Sequence, residues 1–101
     1  LKTFTAKTRA GLSEADASLD DWLQRRPNDT VVRLTYADAL AMRGRKEDAI
    51  RQYEIGLIHA PDAPDLLNNL AWLQFEMGRP GALQNARRAV RSHPEHAFLL
   101  D

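Results

Sequence analysis

GRKEDAIRQYEIGLIHAP, residues 44–61, is the stretch that decides the fold. Gly44 suits the left-handed cap that commonly ends a helix. Pro61 ends the stretch because the residue before a proline is disfavoured in the α region. Between them the apolar residues keep the spacing of one helix face; they are Ala49, Ile50, Tyr53, Gly56 and Leu57. The stretch therefore predicts an amphipathic helix over about residues 46–60.

The same pattern recurs upstream and downstream at a nearly fixed interval. Ala15, Ala49 and Ala82 lie 34 and 33 residues apart. The same two intervals separate the helix-ending prolines Pro27, Pro61 and Pro94. A period of this length is typical of repeat proteins, in which one helix pair cannot bury its own apolar stripe and neighbouring pairs must stack. The sequence predicts an all-α fold, an array of helix–turn–helix units.

Composition narrows the function classes. The 101 residues allow one modest domain, and 14 basic residues balance 14 acidic ones. No net field favours nucleic acid, so we expect no nucleic-acid partner. No run approaches the roughly 18 apolar residues of a membrane span, and no membrane insertion is expected. The absence of cysteine removes disulfides and thiolate metal sites, but leaves the compartment open between cytoplasm and periplasm.

Stripes, caps and prolines divide the chain into six helical segments and the start of a seventh. They are predicted at about residues 1–10, 13–26, 30–43, 46–60, 64–77, 80–93 and 97–101. The second segment carries its apolar stripe at Ala15, Leu19, Trp22 and Leu23. The sixth is expected to point Ala82, Leu83, Ala86, Ala89 and Val90 inward and Arg87, Arg88 and Arg91 outward.

Small residues recur where stacked helices would approach most closely. We expect Ala15, Ala49 and Ala82 at one type of contact, Ala37 and Ala71 at a second, and Gly56 and Ala89 at a third. Gly56 costs about 1 kcal/mol against alanine in a helix interior, so a contact that needs its missing side chain best explains its presence.

The pattern resembles the tetratricopeptide repeat, whose signature is W-x2-L-G-x2-Y…A-x3-F…P. The middle unit matches it with Tyr36-Ala37, Leu40, Ala49-x3-Tyr53 and Pro61; the next matches with Leu67, Leu70-Ala71, Ala82 and Pro94. Arg33 departs by replacing the first bulky apolar residue, Trp22 by replacing a small one, and the third unit by being one residue short in its turn. The string Leu-Asn-Asn-Leu-Ala-Trp-Leu, residues 67–73, is similar to bacterial multi-repeat proteins of exopolysaccharide and surface-export systems.

The resemblance implies a right-handed superhelix whose concave groove is lined by the first helix of each pair. Carried over by position, the partner-binding residues are Val31, Leu34, Thr35, Asp38, Met42, Asp65, Asn68, Asn69, Trp72 and Glu76. Chaperone-binding members grip a terminal carboxylate with Lys, Arg and Asn. Only Asn69 matches here, and acidic residues hold the facing positions, so such a clamp is not expected.

Simpler roles remain open for several of these residues. Trp72 and Phe75 fit a helical core as well as a groove. Asn68 and Asn69 fit a solvated face with one packing hydrogen bond. Arg87, Arg88 and Arg91 fit a solvated convex face, and the histidines of His93-Pro94-Glu95-His96 fit a helix end better than a metal site. We find no catalytic constellation and expect no enzyme activity, cofactor or metal.

These observations predict a single domain over residues 1–101, with units at about 1–29, 30–63 and 64–96. Residues 97–101 would begin a further helix in a chain cut from a longer one. The expected function is a protein-interaction scaffold that binds a protein or peptide. The alternatives are a structural spacer or self-assembly element, or an accessory domain of a larger enzyme. Two arrangements are open for the end of the chain: residues 97–101 fold back onto the Ala82–Val90 helix, or the end pairs with another copy. We expect the second, a homodimer through exposed terminal helices with Phe98, Leu99 and Leu100 at the contact.

Overall fold

The computed structural model describes residues 14–92, apart from the side chain of Ser92. These residues form five α-helices: α1 (Glu14–Arg25), α2 (Thr30–Met42), α3 (Lys46–His59), α4 (Pro64–Glu76) and α5 (Ala82–Ser92). Each helix packs on the next one in the chain, and α4 also contacts α2. The all-helical prediction is confirmed for this part of the chain. The segments predicted at residues 1–10 and 97–101, and His93-Pro94-Glu95-His96, lie outside it.

Two helices end with the same hydrogen-bonded cap, 34 residues apart. At the end of α2, Arg45 N–H donates to the Leu40 carbonyl at 2.9 Å and Gly44 N–H to Ala41 at 3.0 Å. At the end of α4, Arg79 and Gly78 make the equivalent bonds to Gln74 and Phe75. Gly44 and Gly78 have φ of +80° and +66°, the left-handed conformation that this cap requires.

The fifth helix begins later than its sequence suggests. Pro80 was expected to open it, but α5 starts at Ala82. Gly81 has φ +98°, which places the Pro80–Gly81 pair in a turn rather than in a first helical turn. The connection between α4 and α5 is therefore a turn that ends at Gly81.

The core runs through the first four described helices, from Leu23 on α1 to Leu73 on α4. Its buried members are Leu23, Tyr36, Ala37, Leu40, Ala49, Ile50, Tyr53, Leu66, Leu70 and Leu73. The close contact predicted at Gly56 is confirmed: a Cβ there would lie 3.0 Å from Leu66 Cδ1 and 3.2 Å from Leu66 Cδ2. Of the three alanines expected to share a contact, Ala49 is fully buried, Ala82 half-buried and Ala15 exposed.

The buried side of α1 differs from its predicted stripe. Asp16, Ala17 and Leu23 are buried, whereas Ala15 and Trp22 are exposed. Arg43, at the end of α2, donates to both Asp16 carboxylate oxygens at 2.8 and 3.0 Å. Trp22 instead covers the α1–α2 turn, where its indole N–H donates to Asp29 at 2.9 Å. The buried position expected for Ala15 is therefore taken by its neighbour Asp16, whose carboxylate is paired with Arg43.

Arg33 occupies the place where the repeat signature has a bulky apolar residue. It is only 6% exposed, and its Cδ lies 3.6 Å from where a Gly56 Cβ would stand. Its guanidinium donates to Gln52 Oε1 at 2.7 Å and to the Pro27 carbonyl at 3.0 Å. Burial lowers the pKa of Arg33 from its ordinary value. The methylene stem thus fills the apolar site, while the head group ties α2 to α3 and to the preceding turn.

Candidate functional site

The predicted groove residues fall into three exposure classes. Val31, Thr35, Met42, Asp65, Trp72 and Glu76 are exposed; Leu34, Asp38 and Asn69 are half-buried; Asn68 is buried. Asn68, 6% exposed, is therefore not displayed on the surface. The helical pattern had left both a groove position and a packed position open for Asn68, which directly follows the fully buried Leu67.

Asp38 and Asn69 form part of a hydrogen-bond network that joins three helices. Asp38 on α2 accepts from the Tyr53 hydroxyl on α3 and from Asn69 Nδ2 on α4, the latter at 3.0 Å. Burial, and secondarily the bond to Asp38, raises the pKa of Tyr53 well above its ordinary value. Asp38 and Asn69, which were predicted to contact a partner, thus form hydrogen bonds that connect α2, α3 and α4.

The exposed groove residues carry mixed chemistry. Met42 is 87% exposed at the end of α2, and Val31 is 73% exposed at its start. Thr35 donates its hydroxyl to the Val31 carbonyl one turn earlier, and Glu76 lies 3.6 Å from Lys46 Nζ. On this part of the surface the exposed apolar residues Val31 and Met42 are therefore separate from one another, with polar residues between them.

A larger apolar surface lies between α4 and α5. We call it the α4–α5 groove: a cleft of about 610 Å³ whose walls include Ala71, Trp72 and Phe75 from α4, the Pro80–Gly81 turn, and Ala82 and Leu83 from α5. Trp72 and Phe75 meet edge to face, with ring centroids 6.2 Å apart and planes at 85°. Of the predicted groove residues, only Trp72 lines this cleft.

Two residues of α5 correct the prediction for the last helix. Leu83 and Val90 were expected to point inward, but they are 61% and 42% exposed. Ala86 and Ala89 are buried, as predicted. The buried residues on the packed side of α5 are thus the two small alanines, whereas the larger leucine and valine lie on its exposed flank. Phe75, for which both core and groove were open, is 69% exposed.

The turn between α4 and α5 is fixed by polar side chains. Asn85 Nδ2 donates to Gln74 Oε1 at 2.9 Å, bridging the two helices. A Cβ at Gly81 would lie 3.3 Å from the amide nitrogen of Gln74. The glycine allows this close approach, so Gly81, Gln74 and Asn85 together fix the turn beside the cleft.

A second, shallower concavity lies at the other end of the described chain. Its volume is about 560 Å³ and it is lined by Ala15, Ser18, Leu19, Trp22 and Val32. The Trp22 ring is already engaged, because the Arg26 guanidinium lies 3.9 Å from its centroid and Asp29 accepts its N–H. Asp29 also accepts from Val32 N–H, and the backbone bond lowers the pKa of its carboxyl. This concavity mainly serves the α1–α2 turn.

Residues 14–92 were searched for two further kinds of site, a metal-ligand cluster and a membrane-spanning helix. No group of three or more His, Asp or Glu side chains there is arranged to hold a metal ion. Within the same range, no helix has both the length and the apolarity needed to cross a membrane.

No protein-family profile matches the chain, and no curated protein is significantly similar to it.

Proposed function

We propose that the chain is a tetratricopeptide-like array and acts as a non-catalytic scaffold that binds a partner protein or peptide. The array is supported by consecutive helix packing and by the two identical caps 34 residues apart. The small Gly56 at the α3–α4 contact fits the same architecture. On this proposal the five helices form part of a right-handed superhelix, and α2 and α4 line its concave side.

The observation that carries the binding proposal is the exposure of Trp72, Phe75 and Leu83 around one cleft. Large apolar side chains clustered on a surface and rimmed by polar residues mark interaction sites. Trp72 belongs both to the predicted concave face and to the α4–α5 groove. A segment bound along α4 would therefore pass from the Met42 and Thr35 side into the groove, with Trp72 as its central contact.

A selection from random peptides displayed on phage tests this function. Peptides enriched on the wild-type chain should bind the Trp72→Ala variant more weakly by about 2 kcal/mol, because buried aromatic anchors dominate such interfaces. Trp22→Ala is the matched control: Trp22 is exposed to a similar degree, 36% against 39%, but lies outside the groove. Circular dichroism of both variants checks that the helices persist.

Enrichment of no peptide, or of peptides that bind Trp72→Ala as well as wild type, would overturn the scaffold proposal. Loss of helical signal in Trp72→Ala would assign Trp72 to the core. In that case Leu83→Ser, at a more exposed position, takes its place as the test of the groove.

The structural alternative is self-assembly through the same apolar surface. The exposed Phe75, Leu83 and Val90 favour it, because a second copy could cover them. Its predicted contact at Phe98, Leu99 and Leu100 lies outside the described residues. Sedimentation separates this alternative from partner binding and is argued below.

A further inference from the structure

The exposed flank of α5 combines apolar and basic residues on one side. Leu83, Arg87, Val90 and Arg91 stand at positions i, i+4, i+7 and i+8, so they share a helix face. Leu83 lines the α4–α5 groove, and Val90 is exposed two turns further along. The two arginines therefore border the apolar surface along its length.

The arginines of this region differ in what they contact. Arg88 Nη2 donates to the Pro61 carbonyl at 2.6 Å, and Arg79 pairs with Glu47. Arg87 and Arg91 are exposed, and neither takes part in an ion pair within residues 14–92. Their guanidinium groups are therefore available to bind an anionic group of a partner.

The α5 helix supplies no acid to neutralise them. Its sequence, ALQNARRAVRS, contains three arginines and no aspartate or glutamate. On α4, Glu76 already faces Lys46 at 3.6 Å. The exposed Asp62 and Asp65 lie at or just before the start of α4, the end that Arg88 reaches by its bond to the Pro61 carbonyl. The three arginines of α5 outnumber these two acids, so the α5 side of the groove keeps an excess of positive charge, although the whole chain has no net charge.

We propose that the α4–α5 groove binds an acidic amphipathic segment of a partner protein, with apolar side chains in the cleft and carboxylates against Arg87 and Arg91. This inference rests on the scaffold function proposed above and names its partner class. A helix suits the surface, because Leu83 and Val90 lie about 10 Å apart along α5, the distance between residues i and i+7 of a partner helix. Arginine at such a rim recognises carboxylates through paired N–H donors.

The test asks for the charge of the selected peptides. Phage selection on the wild-type chain should enrich peptides in which leucine, phenylalanine or tryptophan recurs every three to four residues, the spacing of one helix face, with glutamate or aspartate between. Their binding should weaken in Trp72→Ala. The charge-reversed variant Arg87→Glu/Arg91→Glu should bind the same peptides roughly three- to tenfold more weakly, as two surface ion pairs become repulsive contacts. Lysine-flanked copies of these peptides should then bind the variant better than the wild type.

Arg25→Glu is the control for a general change of charge, since Arg25 is exposed at the end of α1, outside the groove. It should leave the affinity of the acidic peptides within about twofold. Raising the salt concentration should weaken their binding to the wild type and not to the charge-reversed variant, because screening acts on the attraction that only the wild type has.

The outcomes separate this inference from the function on which it rests. Neutral or basic peptides that still depend on Trp72 would overturn the acidic partner and leave the scaffold standing. No Trp72-dependent peptide on the wild type would overturn both. If such peptides appear only on a Phe98→Asp/Leu100→Asp variant, the occupant is the chain's own segment from 95 to 101, which is itself acidic and apolar, and the partner proposal fails.

Discussion

At the scale of single residues, two helix contacts depend on residues that are unusual in a packed helix, a glycine and a buried aspartate. Gly56 is such a place, since its backbone lies against both terminal methyl groups of Leu66. Asp16 is another, being 1% exposed and bound through two oxygens to Arg43. In each case helix propensity is given up for a contact between neighbouring helices.

Gly56→Leu should destabilise the chain by roughly 1–3 kcal/mol, because the added side chain overpacks the contact with Leu66. Urea denaturation followed by circular dichroism measures the loss. Glu54→Leu is the control, since Glu54 is exposed on the same helix and has room for the larger side chain. An unchanged midpoint for Gly56→Leu would mean that α3 and α4 separate at little cost.

The Asp16–Arg43 pair should respond asymmetrically to truncation. Arg43 has a side chain 45% exposed, so removing Asp16 leaves its guanidinium in contact with water. Removing Arg43 instead takes two hydrogen bonds from a buried carboxylate, which costs about 1–3 kcal/mol. We expect Arg43→Ala to lower the free energy of unfolding more than Asp16→Ala does. The opposite order, in the same urea series, would show that Asp16 is held chiefly by other groups.

At the scale of helices, much of the structure follows from local signals. The glycine caps, Pro27 and Pro61, and the acidic residues of α1 and α3 predict most helix ends to within a residue or two. The start of α5 was misplaced because proline favours both a first helical turn and a turn, and only the φ of Gly81 decides between them. Local signals therefore specify elements better than their junctions.

The candidate site was less predictable, for physical reasons. Periodicity shows which residues share a helix face, but not whether a neighbour covers it. Leu83 and Val90 match an inward stripe, yet lie on an open flank. The Asp38–Tyr53–Asn69 network and the Asp16–Arg43 pair join residues 15 to 31 positions apart, and no local pattern records such pairings. The repeat resemblance placed Trp72 in the groove while a core position stayed open, and the side chain is 39% exposed.

The network between α2, α3 and α4 should make stability sensitive to alkaline pH. The folded-state pKa of Tyr53 lies above its ordinary value of 10.0, so the folded state favours the neutral phenol. Its contribution is fully present below about pH 10 and is lost as pH rises from there towards the higher folded pKa. The free energy of unfolding of the wild type should therefore fall more steeply above pH 10 than that of Tyr53→Phe.

At neutral pH, Tyr53→Phe should be about 1 kcal/mol less stable than the wild type, since Asp38 loses one donor. The two stabilities should converge as pH rises above 10. Tyr36 is buried as well and is present in both proteins, so the difference between them reports Tyr53 alone. Parallel pH profiles would show that Tyr53 ionises in the folded state as easily as in the unfolded one.

At the scale of the whole molecule, the described chain has a chemically uneven surface. Charges are balanced overall, yet α5 carries three arginines and no acid, and Trp72, Phe75 and Leu83 are exposed around the groove beside it. Burying one large apolar side chain contributes about 1.5–3 kcal/mol, so Phe75, Leu83 and Val90 together provide a substantial drive for association. On the proposal above, charge selects the occupant of the groove, because it is attractive for an acidic partner and repulsive between two copies.

Self-association should consequently strengthen with salt, in contrast to the binding of acidic peptides. Two copies that meet through the α4–α5 groove bring their Arg87 and Arg91 side chains together, and salt screens that repulsion while leaving apolar burial intact. Sedimentation equilibrium over a concentration series should show weak association of the wild type at high micromolar concentration, increasing with added salt.

Leu83→Lys should remain monomeric, whereas Ile58→Lys, a change at an exposed apolar residue outside the groove, should associate like the wild type. Association that weakens with salt would place the contact between oppositely charged surfaces elsewhere on the chain. A wild type that stays monomeric up to millimolar concentration would show that the groove is not open to a second copy.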